Sequence, residues 1–436
     1  MRGSVLRIAV VSLLVAAPGS LALAQDDDPC NQLVLQAAND EKLAACTRDI
    51  DSGLRQGTDL AAAYLHRGVA YVTRHDADHA FADYGEAIRL DPKNVMAYTG
   101  RGGLFLAEGD FDRAIADYGA VIEINPTLAF AFYNRGNANT MMRDYDRAIA
   151  DFSEAVRLDP SFLIARIARA AVYGAEGDLD GAIADLTEVI RINPDEPNAY
   201  NNRGDAYAAE HDYDHAIADY TEVIRLVPNY AGAYHTRGLA YYGKGDLDRA
   251  IADYGDSIRL APTSIDSYSS RARAYAAKGD LDHAIADYSE VVRLDPTLVL
   301  GYDNRGLAYY AKRDLDRAVA DFSRAIELDP DYADAYDNRG NAYDDEGDHD
   351  RAIADYSEAI RLDPTDPNVY FNRGLAYYAK SDLGNAIADF DEAIRRDPGL
   401  AFAYLNRGRA KRANGDIAAG DADIAKAKQL DPNMPN

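Results

Sequence analysis

From Ala61 onward the chain repeats one pattern of apolar and polar positions at a fixed step. Arg-Gly occurs at Arg67-Gly68, Arg101-Gly102, Arg135-Gly136, Arg203-Gly204 and Arg237-Gly238, then at Arg305-Gly306, Arg339-Gly340, Arg373-Gly374 and Arg407-Gly408. Arg169 and Arg271 keep the same clock, each followed by Ala. Every step is 34 residues, and eleven prolines from Pro92 to Pro432 keep time with it. Inside the unit Val299 to Tyr332, Tyr302, Gly306 and Tyr309 recur at helical spacing on a first segment. Ala318, Phe322, Ala325 and Ile326 do so on a second. Arg313-Asp314 makes the break between them, and Asp329-Pro330 ends the unit, because the residue before proline is pushed out of the α region. Asp314 is placed to cap the second helix and Asp316 to complement its dipole. Gly306 opposite Ala318 predicts a close helix–helix approach, with large aromatics filling the remaining space. The prediction is an all-α chain of eleven helical hairpins: 61–94, 95–128, 129–162, 163–196, 197–230, 231–264, 265–298, 299–332, 333–366, 367–400 and 401–434.

The unit at Ala231 reads Tyr234, Arg237, Gly238, Tyr241, Ala250, Tyr254 and Pro262. It resembles the tetratricopeptide repeat, whose 34-residue pattern is aromatic-x-x-Leu-Gly-x-x-Tyr, then Ala-x-x-x-Phe, then Pro. One departure is systematic. Arg stands in place of the usual Leu in all eleven units, and Asp follows sixteen positions later in each, as Arg237 and Asp253 do. These groups are expected to pair within or between repeats. Read as surface pairs, they would set the specificity of stacking more than its stability. The resemblance implies a right-handed α-solenoid superhelix, continuous along the array, with first helices lining a concave face. Residues 25–60 read as a degenerate first hairpin, in which Leu43, Cys46 and Ile50 echo a second helix and Arg55 to Thr58 form a small insertion. Gly420, Asp421, Lys426 and Lys428 make the last helix more polar, as a capping repeat requires.

Residues 1–24 have the layout of a secretory signal peptide. Arg2 and Arg7 precede an apolar run from Ile8 to Ala17, and Ala22-Leu23-Ala24 forms a small-residue site before Gln25. An uncleaved anchor is the alternative, but the run is shorter than the ~20 apolar residues that span a bilayer. Cleavage after Ala24 would deliver the chain to a periplasm or to the exterior, without a stable membrane span. In such a compartment thiols pair, so Cys30 and Cys46 are expected to form a structural disulfide across a turn at Asn39-Asp40. Two unpaired buried thiols are the alternative.

Charge adds less than its size suggests. The formal net charge is −27, which disfavours nucleic acid, since phosphate binding needs clustered Lys and Arg. Most Asp residues, however, recur at four repeat positions, represented by Asp246, Asp248, Asp253 and Asp295, as capping, turn and pairing groups. A search for chemistry finds no phosphate loop, HExxH helix or nucleophile elbow. Two His pairs, His75 with His79 and His211 with His215, have a spacing that could suit a metal. They fall at the inter-helix turn, where solvated surface histidines are the better reading. No cofactor, metal or catalytic set is expected.

What remains is the groove that the resemblance implies on the first helices. In the first four units it carries Leu65, Val69, Val72, Met96, Leu106, Phe130, Tyr133, Asn137, Thr140, Met141, Ile164 and Ile167. Later units place Asn201, Asp205, Asp266, Asp303, Asp334, Asp337, Asp344 and Asp345 there, with Tyr242, Tyr310 and Tyr378 at every second repeat. The first set suits varied hydrophobic or helical segments, the second an extended basic or polar peptide. The known clamp for acidic chaperone tails needs Lys at groove positions that hold none here. The expected function is therefore a non-enzymatic scaffold or adaptor, monomeric, binding peptide segments of partner proteins in cell-envelope assembly or secretion. A self-assembling structural protein, or a regulatory subunit or enzyme with unrecognised chemistry, are the alternatives.

Overall fold

A computed structural model of the chain describes Cys30 and residues 39–434. Among these residues there are 23 α-helices and no strand. The chain divides at Asp219/Tyr220 into two compact units. The first contains α1 (Asn39–Asp51), α2 (Gly57–Thr73), α3 (Ala77–Leu90), α4 (Val95–Glu108), α5 (Phe111–Ile124), α6 (Ala129–Met141), α7 (Tyr145–Leu158), α8 (Leu163–Glu176), α9 (Leu179–Ile192) and α10 (Pro197–Ala209). The division falls inside α11 (Tyr213–Leu226). The second contains α12 (Ala231–Gly243), α13 (Leu247–Leu260), α14 (Ile265–Ala277), α15 (Leu281–Leu294), α16 (Val299–Ala311), α17 (Leu315–Leu328), α18 (Ala333–Asp345), α19 (His349–Leu362), α20 (Pro367–Ala379), α21 (Leu383–Arg396), α22 (Ala401–Ala413) and α23 (Ile417–Leu430).

Local chemistry sets the helix ends. Asp314 accepts the Arg317 backbone N–H as the cap of α17, and the equivalent Asp76, Asp110, Asp246 and Asp416 do the same for their helices. The residue before each cap has positive φ. It is Gly at 109, 177, 245, 279, 347 and 415, but His75, Arg143, His211, Arg313 and Ser381 hold the same left-handed conformation. The tight turn therefore imposes that conformation even where a Cβ makes it costly.

The hairpin interior follows the small–large alternation. Ala318 and Phe322 are fully buried, as are their counterparts Ala148 with Phe152 and Ala386 with Phe390. A Cβ on Gly306 would lie 2.6 Å from Phe322 Cε1. The glycine is thus required by the aromatic ring, not by Ala318 as its position suggested. In the last hairpin that aromatic is replaced by Ile424, and the helices close further: a Cβ on Gly420 would meet the Gly408 carbonyl at 2.7 Å.

All eleven Arg–Asp pairs form, each within its own hairpin. Arg237 Nε and Nη2 each donate to one Asp253 oxygen at 2.8 Å, a bidentate fork. These are not surface pairs, because Asp253 is 5% exposed. Stability is therefore at stake as well as specificity: leaving such a buried charge without its partner costs about 3–5 kcal/mol. In seven of the pairs the remaining guanidinium nitrogen reaches the preceding hairpin. Arg339 Nη1 donates to Ser323 Oγ at 3.0 Å and Arg373 Nη1 to Ser357 Oγ at 3.0 Å. One side chain thus ties three helices together.

At the N-terminal end Cys30 and Cys46 are disulfide-bonded, with Cα atoms 4.9 Å apart. Both are buried against Ala63 of α2. Asn39 and Asp40 open α1 instead of forming the expected turn, and Gly57 and Thr58 extend α2 instead of forming an insertion. The expected leader and the expected first half of the 25–60 hairpin, Cys30 apart, lie outside the described residues. No described helix is long and apolar enough to cross a membrane.

Candidate functional site

Within each unit the first helices of adjacent hairpins also touch directly: α2 with α4, α6 with α8 and α8 with α10, then α12 with α14, α16 with α18, α18 with α20 and α20 with α22. Side chains on their outward positions therefore share one face, repeat after repeat.

In the first unit the apolar set divides in two. Met96 and Ile164 are 59% and 54% exposed, at the same place in their repeats, and Met141 and Met142 are also exposed. Phe130, at the equivalent place in the intervening repeat, is half-buried. Other members pack. Tyr133 sits between Phe152 and Phe162, with ring centroids 5.9 and 5.2 Å away. Ile167 packs on the cluster of Ala170, Leu186 and Val189, Leu65 is buried, and Val69, Val72 and Leu106 lean on neighbouring clusters. Asn137 is half-buried, and Thr140 Oγ1 donates to the Gly136 carbonyl at 2.9 Å. Asn201 Nδ2 donates to Asp205 at 3.1 Å.

In the second unit several expected anchors are structural. Asp303 is 4% exposed. Asn338 Nδ2, from the next repeat, donates to it at 3.0 Å, and Tyr332 Oη, the last residue of its own repeat, at 3.3 Å. Burial raises its carboxyl above the ordinary range, and these two bonds offset part of that rise. Asp337 repeats the arrangement, accepting from Asn341 Nδ2 at 3.2 Å and Asn372 Nδ2 at 3.4 Å. Burial pushes its carboxyl up to about 6. Asp344 pairs with His349 Nδ1 at 2.6 Å. Asp345 accepts Tyr310 Oη at 2.7 Å and Arg313 Nη1 at 2.5 Å. Burial and that carboxylate push the Tyr310 phenol up to about 12. Asp334 and Asp266 are exposed. Tyr242, Tyr310 and Tyr378 each pack on a buried cluster that joins their hairpin to an alanine of the next first helix, Ala274, Ala342 and Ala410. The ring of Tyr242 also lies 5.3 Å from the Arg273 guanidinium.

Sequence reasoning missed the donors. Asn338 and Asn372 stand immediately before the repeat Arg, as Asn304 and Asn406 do, and that recurrence was the available signal. The histidines lie where the sequence put them. His79 and His215 bond the capping Asp76 and Asp212 of their own helices at 2.9 and 2.7 Å, and His211 bonds Tyr213 Oη.

The TPR repeat family matches residues 102–142, 172–210, 204–245, 272–313, 306–345 and 340–381. Further tetratricopeptide repeat matches cover 61–94, 129–162, 231–264 and 367–400. The chain belongs to the tetratricopeptide repeat family. Its fold is thus that of a protein-interaction scaffold. Among solved structures, this TPR chain is similar to MamA at 31% identity, over 38% of this chain and 96% of that one, with a TM-score of 0.36. Similarity to the Cut9–Hcn1 hetero-tetramer of the APC/C is 13% over 95% of both chains, TM-score 0.43. For yeast Tom70 it is 16% over 86% of this chain and 92% of that one, TM-score 0.41. No curated protein matches the sequence.

Proposed function

We propose that this TPR chain is a non-catalytic, monomeric scaffold that holds peptide segments of partner proteins along the outward face of its first helices. The observation that carries the reading is the row of Met96, Phe130 and Ile164. These apolar side chains hold one position in three consecutive repeats, and two of them stay more than half exposed although each hairpin core is already filled. A flexible, thioether-containing surface of this kind re-packs around varied apolar partners. The exposed Asp334 and the Asp344 station extend the reading to polar or basic segments in the second unit.

The protein acts in the cell envelope or outside the cell, as eleven repeats from 61 to 434 behind a leader cleaved after Ala24 and a disulfide-tied hairpin at 25–60. The layout of Met1 to Ala24 and the Cys30–Cys46 disulfide support this. Partners are proteins; neither nucleic acid nor a cofactor is needed.

A photo-crosslinking residue at Ile164 or at Asp334, placed in the exported protein, tests the reading. Discrete partner adducts are expected from both, and none from Arg147 on the exposed side of a second helix. Equal labelling from all three positions would refute it. The acidic half fails by itself if changing Asp334, Asp337 and Asp344 to Asn leaves every partner affinity unchanged.

A further inference from the structure

In the second unit the first helices alternate in character with a period of two repeats. Leu239 with Tyr242, Leu307 with Tyr310, and Leu375 with Tyr378 stand three residues apart on α12, α16 and α20, so each pair shares a face. Leu239 and Leu307 are 40% and 39% exposed, and Leu375 is half-buried. The helices between them carry charge where these carry leucine and tyrosine. On α14 the leucine position is Arg273, which is exposed and lies over the Tyr242 ring. On α18 the tyrosine position is Asp344, half-buried and bonded by His349 Nδ1, while the exposed Asp334 at the start of that helix has an exposed counterpart, Asp266, on α14 and does not distinguish the two. At the leucine and tyrosine positions charge therefore changes sign along the row: apolar, cation, apolar, anion, apolar.

We infer that this face reads an extended segment with three apolar anchors, an acidic residue between one neighbouring pair and a basic residue between the other. The inference rests on the scaffold reading above and adds to it a pattern for the ligand. Packed helices lie ~8–10 Å apart, so stations two first helices apart are ~16–20 Å apart, or about six residues of extended chain. Each anchor enters beside a leucine and lies along a tyrosine ring. The acidic ligand side chain meets the Arg273 guanidinium, whose planar fork accepts a carboxylate while its other face stays on Tyr242. The basic ligand side chain meets Asp344. A ligand with one sign at both places meets one repulsive station, and like-charge juxtaposition is how such surfaces reject partners.

Fluorescence anisotropy with the full chain and synthetic peptides of about 15 residues, carrying Leu at every sixth position, tests this. Four isomers differ only in the charges between the leucines: acid then base, base then acid, both acid, both base. At least one mixed isomer is expected to bind about tenfold tighter than either like-sign isomer, and which one does so reports the direction in which the chain runs. Arg273→Glu should weaken that isomer by about tenfold and strengthen the doubly basic one. Equal binding of all four isomers that is abolished by Leu307→Lys overturns the sign pattern and keeps the face as a binding surface. Equal binding that survives Leu307→Lys, or no binding of any isomer, overturns the use of this face altogether.

Discussion

The two units share an interior and differ on one face. In both, the second helix starts on a capping Asp, the Arg–Asp fork closes the hairpin, and a glycine or alanine admits the large side chain opposite. On the outward side of the first helices both units expose apolar side chains at the same repeat position, Met96 and Ile164 in the first and Leu300 and Phe402 in the second, and the second adds the charged Asp266, Asp334, Asp344 and Arg273. The second also spends polar groups between repeats, where Asn338 and Asn372 reach back to Asp303 and Asp337. The fork positions are common because every hairpin must solve the same burial problem. The outward positions vary because no core depends on them, which is why a repeat array can change its ligand without changing its fold.

The largest test of this comparison strikes the shared interior. Asp117→Lys in the first unit and Asp253→Lys in the second should each destabilise their own hairpin by about 3–5 kcal/mol, since each puts a second cation into a buried position against a half-buried guanidinium. Adding Arg101→Asp or Arg237→Asp should restore part of that loss. Hydrogen exchange read hairpin by hairpin measures it, and a large difference between the two units would break the equivalence. No coupling in either cycle would remove the fork as its cause.

A smaller effect separates the units. The Asp337 carboxyl is raised from 3.8 to about 6 in the folded chain. A raised acid favours folding while protonated, so its contribution is complete below about pH 3.8 and is lost as pH rises through about 6. Relative to Asp337→Asn, the wild-type hairpin should lose roughly 3 kcal/mol between those limits. Tyr133→Asn, at the matching place in the first unit, should leave no such slope. A flat difference between wild type and Asp337→Asn over that pH range would show that the carboxyl is not raised.

The smallest effect sharpens what is common. Arg143→Gly and Ser381→Gly replace side chains held at φ of 61° in both. Each should stabilise its turn by about 1 kcal/mol, because the left-handed conformation costs a residue with a Cβ about that much. Thermal unfolding of the two variants checks it, and a gain in only one unit would mean that the two turns differ.

The repeat length, the helix ends and the partners Arg237 and Asp253 could be read from the chain alone. They depend on spacing along one helix or across one hairpin, and eleven copies made the spacing unmistakable. The disulfide was legible from the leader-like layout of residues 1–24 and the cysteine count. The candidate face was legible only in outline. Its positions followed from the period, but Asp303 looked like an open anchor and is buried, while Tyr310 looked free and donates to Asp345. Those contacts join residues in neighbouring repeats that are far apart along the chain, and periodicity carries no information about how one hairpin rotates against the next.

The sequence by itself determined the hairpin: a capping Asp, a proline stop, a glycine beneath an aromatic and a charge pair sixteen residues apart are all local requirements. Only the tertiary structure decided which polar side chains are consumed between hairpins and which remain for a partner. Burial of a carboxylate depends on the amides and hydroxyls that the next repeat brings to it, and stacking alone supplies them.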